Sequence, residues 1–146
     1  MINTSKRNVM IVCTLLLVGV SVQAGMLPQG KWRIKTINVE KNTNGNLQTT
    51  VYAAASEVKS HILCPQEWEI NEKNIVLRYP NGREDAAEYT LEGKQLTIIA
   101  AEKSLVYLYK TKGKNLILTA TYTYVNNLPT GEVERIEEKW IIWLEK

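Results

Sequence analysis

The sequence has no phenylalanine, one histidine and two cysteines among its 146 residues. One cysteine, Cys13, lies in an apolar N-terminal run, so Cys64 has no partner and a disulfide-stapled scaffold is excluded. A zinc site needs three or four ligands, and one His with one Cys does not supply them. Gly-rich phosphate loops, Gly-x-Ser-x-Gly elbows and paired-Asp metal motifs are also missing. We therefore predict no metal, no cofactor and no enzymatic activity.

Neither sign of charge dominates. The chain has 18 basic and 15 acidic side chains. Two of the basic ones, Lys6 and Arg7, lie in the N-terminal leader described next, so the remainder carries a charge of about +1. A protein that binds nucleic acid usually presents a basic stripe. Nucleic acid is therefore not a predicted partner.

The N-terminus has the pattern of an export signal. Lys6 and Arg7 precede an apolar run over residues 9–20, and Val22-Gln23-Ala24 places small residues where a signal peptidase reads them. The run is shorter than the roughly 20 residues of a membrane anchor. We predict a signal peptide over residues 1–24 and a periplasmic or secreted domain over 25–146, without a transmembrane segment. Lipid anchoring is not favoured, because Cys13 lies inside the run instead of ending it.

The rest of the chain consists of short alternating runs separated by tight turns. "YTLEGKQLTI" and "LYKTKGKNLIL" contain Gly93 and Gly113, which we place at the second position of two-residue hairpin turns. A third turn is predicted at Glu72-Lys73. The pairs that follow are Tyr89–Leu96, Tyr109–Leu116 and Trp68–Leu77. Each register brings apolar side chains together on one face, as a buried side requires.

Eight strands are predicted, at residues 31–40, 65–71, 74–80, 84–91, 95–101, 104–111, 114–125 and 132–145. A glycine bulge at Gly131 would align the inward faces of the last two. Consecutive hairpins predict an all-β, eight-stranded antiparallel up-and-down barrel. The segment 49–64 has helical spacing at Val51, Ala54 and Val58. We expect a short helix or excursion there, between the first two strands, able to lie over the barrel mouth.

The Gly30-Lys31-Trp32 triplet at the start of the first strand, followed by short antiparallel strands, resembles the lipocalin superfamily. The likeness is greatest to small exported lipocalin-like domains of bacteria. In that family the Trp closes one end of the barrel and the Gly lets the chain pass beneath it, so the resemblance gives these barrel-closing roles to Trp32 and Gly30. A basic side chain from beyond the last strand usually stacks on the Trp. Here only Lys139 and Lys146 are suitably placed, and neither is an Arg.

Aromatic side chains supply the candidate ligand site. Five tyrosines and one tryptophan fall on the face assigned to the interior: Tyr89, Tyr107, Tyr109, Tyr122, Tyr124 and Trp140. An apolar lining with a few polar groups is typical of a small-molecule pocket. The alternative is a packed core whose hydroxyl groups reach solvent at the barrel ends.

Two further groups have alternative interpretations. Glu138 shares the inward face with Trp140 and could orient a polar group of a ligand, or it lies at a wet rim. His61 lies three residues before Cys64, a spacing that could join a base to a nucleophile. The flanking residues are apolar, which favours a buried, unreactive thiol.

Two functions remain open. The first is an exported, non-enzymatic barrel that binds a small apolar or amphipathic ligand against its Tyr and Trp side chains. The second is a filled barrel that acts as a protein–protein interaction module, for example an exported hydrolase inhibitor or an envelope assembly factor. The exposed loop over residues 125–132 would then carry recognition. The sequence does not predict an oligomeric state.

Overall fold

The computed structural model describes residues 26–58, 64–99 and 104–146. The described part consists of β-strands and one turn of 3-10 helix, Ala55–Glu57. The strands are β1 (Gly30–Thr43), β2 (Asn46–Tyr52), β3 (Glu67–Ile70), β4 (Asn74–Arg78), β5 (Glu84–Glu92), β6 (Gln95–Ile99), β7 (Ser104–Lys112), β8 (Asn115–Asn127) and β9 (Val133–Glu145). The predicted signal peptide lies outside the described residues.

Eight of these strands close into an antiparallel barrel. Strands β3 to β9 follow one another as a meander, and β1 pairs with both β3 and β9 to complete the cylinder. The predicted fold class is therefore confirmed. The ninth strand, β2, lies outside the cylinder and pairs with β1 alone among the described strands.

The segment predicted to be helical is the main local difference. Residues 49–52 belong to β2, and Ala54 is extended at φ −149° and ψ 154°. The 3-10 turn at Ala55–Glu57 follows. The turn before β2 explains the difference, because Asn44 and Gly45 both have positive φ, 50° and 91°. An Asn-Gly pair with that geometry forms a type I′ hairpin turn, which sends β2 back along β1.

Two predicted registers are wrong by two residues. Tyr89 pairs with Ile98, and Tyr109 pairs with Leu118. The reason is that Gly93 and Gly113, both at φ +60°, occupy the first turn position, not the second. Gly at that position is typical of a type II′ turn. A shift of two residues keeps each side chain on its face, so the inward set is unchanged. The predicted pairing of Trp68 with Leu77 is confirmed.

The described core of the barrel is close-packed around its most buried side chains. Eight large side chains that point inward are 0% exposed: Ile37, Trp68, Ile75, Leu96, Ile98, Leu116, Leu118 and Leu144. A void wide enough for a water molecule would leave part of these side chains accessible. The described core around them is therefore filled by side chains.

Strand directions define two ends. The lower end carries the start of β1, the end of β9 and the turns at residues 71–73, 93–94 and 113–114. The upper end carries the turns at residues 44–45, 79–83 and 128–132. At the upper end the described part of the sheet opens. Among the described strands, β8 from residue 120 onward pairs with β9 alone, and β1 from residue 37 onward pairs with β2 where β3 has ended. We call these four segments (37–43, 46–52, 120–127 and 133–140) the upper extension.

Candidate functional site

The inner face of the upper extension presents a polar and aromatic surface above the core. Strand pairing sets two rows of side chains across it. The first row is Gln48, Lys41, Glu138 and Tyr122, and the second is Asn46, Thr43, Ile136 and Tyr124. Tyr122 and Tyr124 are each 37% exposed, whereas Trp140, one row deeper, is 5% exposed. Exposure therefore falls from the two tyrosines to Trp140, although Ile136 in the outer row is also buried, at 2% exposure.

A short hydrogen bond fixes the most accessible part of this surface. The Tyr124 hydroxyl donates to Glu138 Oε2 at 2.6 Å. This hydrogen bond, with a smaller effect of burial, raises the pKa of Tyr124 to about 12. The phenol therefore stays protonated at neutral pH and remains a donor. The second Glu138 oxygen and its remaining lone pairs are acceptors for a donor group of a ligand.

Below this surface lies a buried set of polar-tipped side chains. Tyr107 is 3% exposed, and its ring meets Trp68 edge-on with centroids 5.6 Å apart. Burial raises the Tyr107 pKa well above its usual range, and interactions with Tyr122, Cys64 and Tyr79 raise it further. These four side chains are thus electrostatic neighbours at the upper end.

The connection between β2 and β3 contributes to the cover of the upper end. Ala55, Val58 and Cys64 are each at most 8% exposed and belong to the same buried cluster as Tyr107 and Trp140. Both described ends of the predicted excursion therefore pack against the core. Ligand access to the barrel axis from this side would need these side chains to move.

Two predicted site residues lie at the other end of the barrel. The Tyr89 hydroxyl donates to the carbonyl oxygens of Asn71 at 2.7 Å and Glu72 at 3.0 Å, in the lower turn between β3 and β4. Tyr109 is buried on β7 close to its lower end. Tyr89 and Tyr109 are therefore separated along the strands from Tyr122, Tyr124 and Glu138. The structure does not bring the predicted set together in one cavity.

The Gly-x-Trp triplet lies at the lower end. The Trp32 indole donates to the Pro28 carbonyl at 3.0 Å, and Lys146 Nζ lies 5.1 Å from the ring centroid. Gly30 has φ +121°, and a Cβ there would approach Lys146 Cε to 3.2 Å. The positive φ explains why glycine occupies that position, whereas the flexible end of Lys146 could shift to admit a Cβ. The side chain that contacts Trp32 is thus a lysine from beyond the last strand.

Sequence reasoning missed a depression beside this tryptophan. It has a volume of about 710 Å³ and opens to solvent. Its lining includes Trp32, Lys35, Lys114, Glu145 and Lys146. The lysines come from β1, the β7–β8 turn and the C-terminus, so only the pairing of distant strands brings them together. No single sequence motif could have predicted this grouping.

A second missed cluster lies on the outer wall. Cross-strand pairing puts Glu67, Arg78 and Glu84 in one row over β3, β4 and β5. The Arg78 guanidinium contacts Glu67 at 2.7 Å, Glu69 at 2.8 Å and Glu84 at 2.9 Å. Hydrogen bonds to these carboxylates, Glu69 and Glu84 first, raise the pKa of Arg78. Because the cation is satisfied by its neighbours, this cluster is suited to joining strands.

The proposed dyad has only one described member. His61 lies outside the described residues. Cys64 is buried, and burial raises the pKa of its thiol to about 12. Less than one thiol in a thousand would be ionised at neutral pH, and the thiolate is the nucleophilic form.

Neither a family model nor a curated protein nor a solved structure matches the chain. Residues 26–58, 64–99 and 104–146 contain no group of three or more His, Cys, Asp or Glu side chains that could hold a metal ion. In the same ranges, no helix has the length and apolar character that would let it cross a bilayer.

Proposed function

We propose that this protein is an exported, lipocalin-like barrel without catalytic activity, and that it binds a small amphipathic molecule at its upper mouth. The observation that carries the proposal is the half-exposed pair Tyr122 and Tyr124 beside the Glu138 carboxylate. Aromatic rings offer apolar contact area at low entropic cost. A carboxylate beside them gives orientation to a ligand that carries a hydrogen-bond donor.

The filled interior supports a ligand position at the mouth of the barrel and not along its axis. A ligand along the axis would have to displace side chains that are 0% exposed, such as Trp68 and Leu118. A ligand on the inner face of the upper extension displaces only solvent. The proposed ligand therefore has an apolar part that packs on the two tyrosines and a donor group that reaches Glu138.

Matched probes test the chemistry of the site. Dodecylammonium and dodecanoate have the same chain length, but only the ammonium can donate to Glu138. We expect dodecylammonium to bind with the higher affinity in isothermal titration, and Tyr122→Ala and Glu138→Gln to weaken its binding. Tyr89→Phe, at the lower end, is the control and should bind as the wild type does. Equal binding by Tyr122→Ala and the wild type would overturn the proposal.

Native mass spectrometry of the protein from its own host tests the physiological ligand. We expect a retained small molecule in the wild type and its loss from Tyr122→Ala. The mass of the recovered chain also tests export, because cleavage after Ala24 removes 24 residues. A chain that keeps those residues after secretion would contradict the predicted signal peptide.

A second candidate function is protein recognition, which the close-packed core favours. A filled barrel is a rigid support. The segment 125–132, predicted to be a loop, consists of the end of β8 and the turn over residues 128–132, and it presents Val125 at 52% exposure next to Asn126 and Asn127. A photoreactive residue at Thr130 should then cross-link a partner in the host, whereas one at Lys94, in a lower turn, should not. Cross-linking at both positions or at neither would contradict recognition by this loop.

A further inference from the structure

Strand β2 is an open sheet edge that contributes little to its own chain. It pairs with β1 on one side, and no described strand pairs with the other side. Six of its seven residues are exposed and only Tyr52 is half-buried. The barrel closes without it, through β1–β3 and β1–β9 pairing. Within the described residues, only Tyr52 of β2 packs against the core, and the other β2 side chains are left to solvent.

The sequence of β2 also has none of the features that usually prevent an edge strand from pairing with another chain. Natural edge strands usually carry charged residues, proline or a bulge that prevent pairing with another chain. The sequence of β2, "NLQTTVY", has no charge and no proline, and its pairing with β1 is regular. Such an edge is suited to accept another strand.

The direction of the backbone groups follows from one hydrogen bond. The Asn44 amide donates to the Arg135 carbonyl at 3.1 Å, so even-numbered residues of β1 bond towards β9 and odd-numbered ones towards β2. The β2 partners of those odd residues are even-numbered, for example Gln48 opposite Lys41. The amide and carbonyl groups of Leu47, Thr49 and Val51 therefore point away from the sheet, towards an incoming strand.

The sequence of β2 is complementary to itself about Thr49. In an antiparallel pair centred there, Thr49 lies opposite its own copy and Leu47 lies opposite Val51 twice. Leu47 and Val51 are 63% and 64% exposed, more than any other large apolar side chain in the described ranges. On their own chain they lie opposite Asn42 and Asn38, which offer no apolar contact.

We propose that the protein forms a symmetric homodimer by antiparallel pairing of β2 with β2 of a second copy, centred on Thr49. About six backbone hydrogen bonds join the copies, because residues 47, 49 and 51 face their partners as hydrogen-bonded pairs. Two Leu47–Val51 contacts cover the exposed apolar side chains on the outer face. The result is a continuous sheet across both barrels. This inference does not depend on the proposed ligand.

Proline substitution tests the edge. The Thr49 amide points outward, so Thr49→Pro removes a donor from the proposed interface without breaking a β1–β2 bond. Thr123→Pro is a matched control, because Thr123 lies on the open edge of β8 and also directs its amide outward. By sedimentation velocity we expect the wild type and Thr123→Pro to be dimers and Thr49→Pro to be a monomer.

A charge substitution provides a second test that does not alter the backbone. Thr49→Lys places two like charges directly opposite each other at the centre of the proposed interface, whereas Val106→Lys changes a 49% exposed valine on β7. We expect Thr49→Lys to lose the dimer and Val106→Lys to keep it. A wild type that is monomeric at every concentration, or a dimer that survives both β2 substitutions, would overturn the proposal.

Disulfide trapping tests the register. In a Cys13→Ser background, Thr49→Cys faces its own copy and should form a disulfide-linked dimer on mild oxidation, since the facing Cα atoms of such a pair lie about 5.5 Å apart. Thr50→Cys would face Gln48 and should stay reduced. Efficient trapping of Thr50→Cys in place of Thr49→Cys would contradict a pairing centred on Thr49.

Discussion

The lower barrel and the upper extension are made from some of the same strands, yet their surroundings differ. In the barrel each strand has two neighbours and its inward side chains are buried, as at Leu116 and Leu144. In the extension two strand edges have no described partner, and the same face of β8 carries Tyr122 and Tyr124 at 37% exposure. Under the proposed function, the barrel supplies stability and the extension supplies the surfaces for recognition.

The largest expected effect comes from the centre of the barrel. Trp68→Ala removes a 0% exposed indole and its edge-on contact with Tyr107. We expect it to lower the free energy of unfolding by about 3–5 kcal/mol. Tyr124→Ala, on the extension, should cost about 1 kcal/mol or less. Chemical denaturation measures both, and equal losses would contradict the division into stability and recognition.

Thiol reactivity compares the covered core with the exposed extension. Because burial raises the pKa of Cys64 from 9.0 to about 12, its thiolate fraction at pH 8 falls by about a thousandfold. In a Cys13→Ser background, we expect Cys64 of the folded protein to react with a disulfide reagent about a thousandfold more slowly than Cys64 of the protein unfolded in urea. An added Thr123→Cys on the exposed strand should react at nearly the unfolded rate. Rapid labelling of Cys64 would show that the cover over the upper end opens.

The same pKa gives the sign of an alkaline effect. The pKa of the Cys64 thiol is higher in the folded state than in the unfolded state. Its contribution to the free energy of unfolding is therefore fully present below pH 9 and is lost as the pH rises towards 12. Cys64→Ala should lose less stability than the wild type over that interval. Thermal unfolding scans at several pH values measure the difference.

A smaller effect is expected at the lower turns. Gly113 has φ +60°, a conformation that costs an L-residue about 1–2 kcal/mol. Gly113→Ala should therefore lower the free energy of unfolding by that amount. Lys114→Ala, at the next turn position, should change it by less than about 0.5 kcal/mol. Equal effects at both positions would contradict the type II′ assignment.

The smallest effect is expected within the extension. Tyr124→Phe removes the 2.6 Å hydrogen bond to Glu138 but keeps the ring. The pair is accessible to solvent, so we expect a loss of less than about 1 kcal/mol. The difference from the wild type should disappear as the pH rises through the Tyr124 pKa of about 12, where the phenol ionises. A difference that persists above that pH would mean that ring packing changed instead.

The barrel was predictable because its strands carry strict two-residue periodicity and lie next to one another in sequence. The inward faces survive the register errors at Gly93 and Gly113, since the shift is even. Strand β2 was missed because residues 49–64 have helical spacing. The signal that could have found it is the Asn44-Gly45 turn in front of it, which was not considered.

The site was less predictable than the fold. Alternation assigns Tyr89 and Tyr122 to one inward face, but their height along the axis depends on the stagger of strands around the cylinder. The same stagger brings Lys35, Lys114 and Lys146 together at the lower depression. Residues distant in sequence meet there through long-range pairing, which a single sequence does not encode in local patterns.

The long strand β1 has a consequence for the unfolding of the molecule. After the register shift between Ile34 and Thr36, the same strand leaves β3 and continues beside β2, with β9 on its other side from Arg33 onward. Melting of the cylinder would therefore remove the middle strand of the open sheet as well. Calorimetry should record one transition, with equal calorimetric and van't Hoff enthalpies, even though the two parts differ in burial.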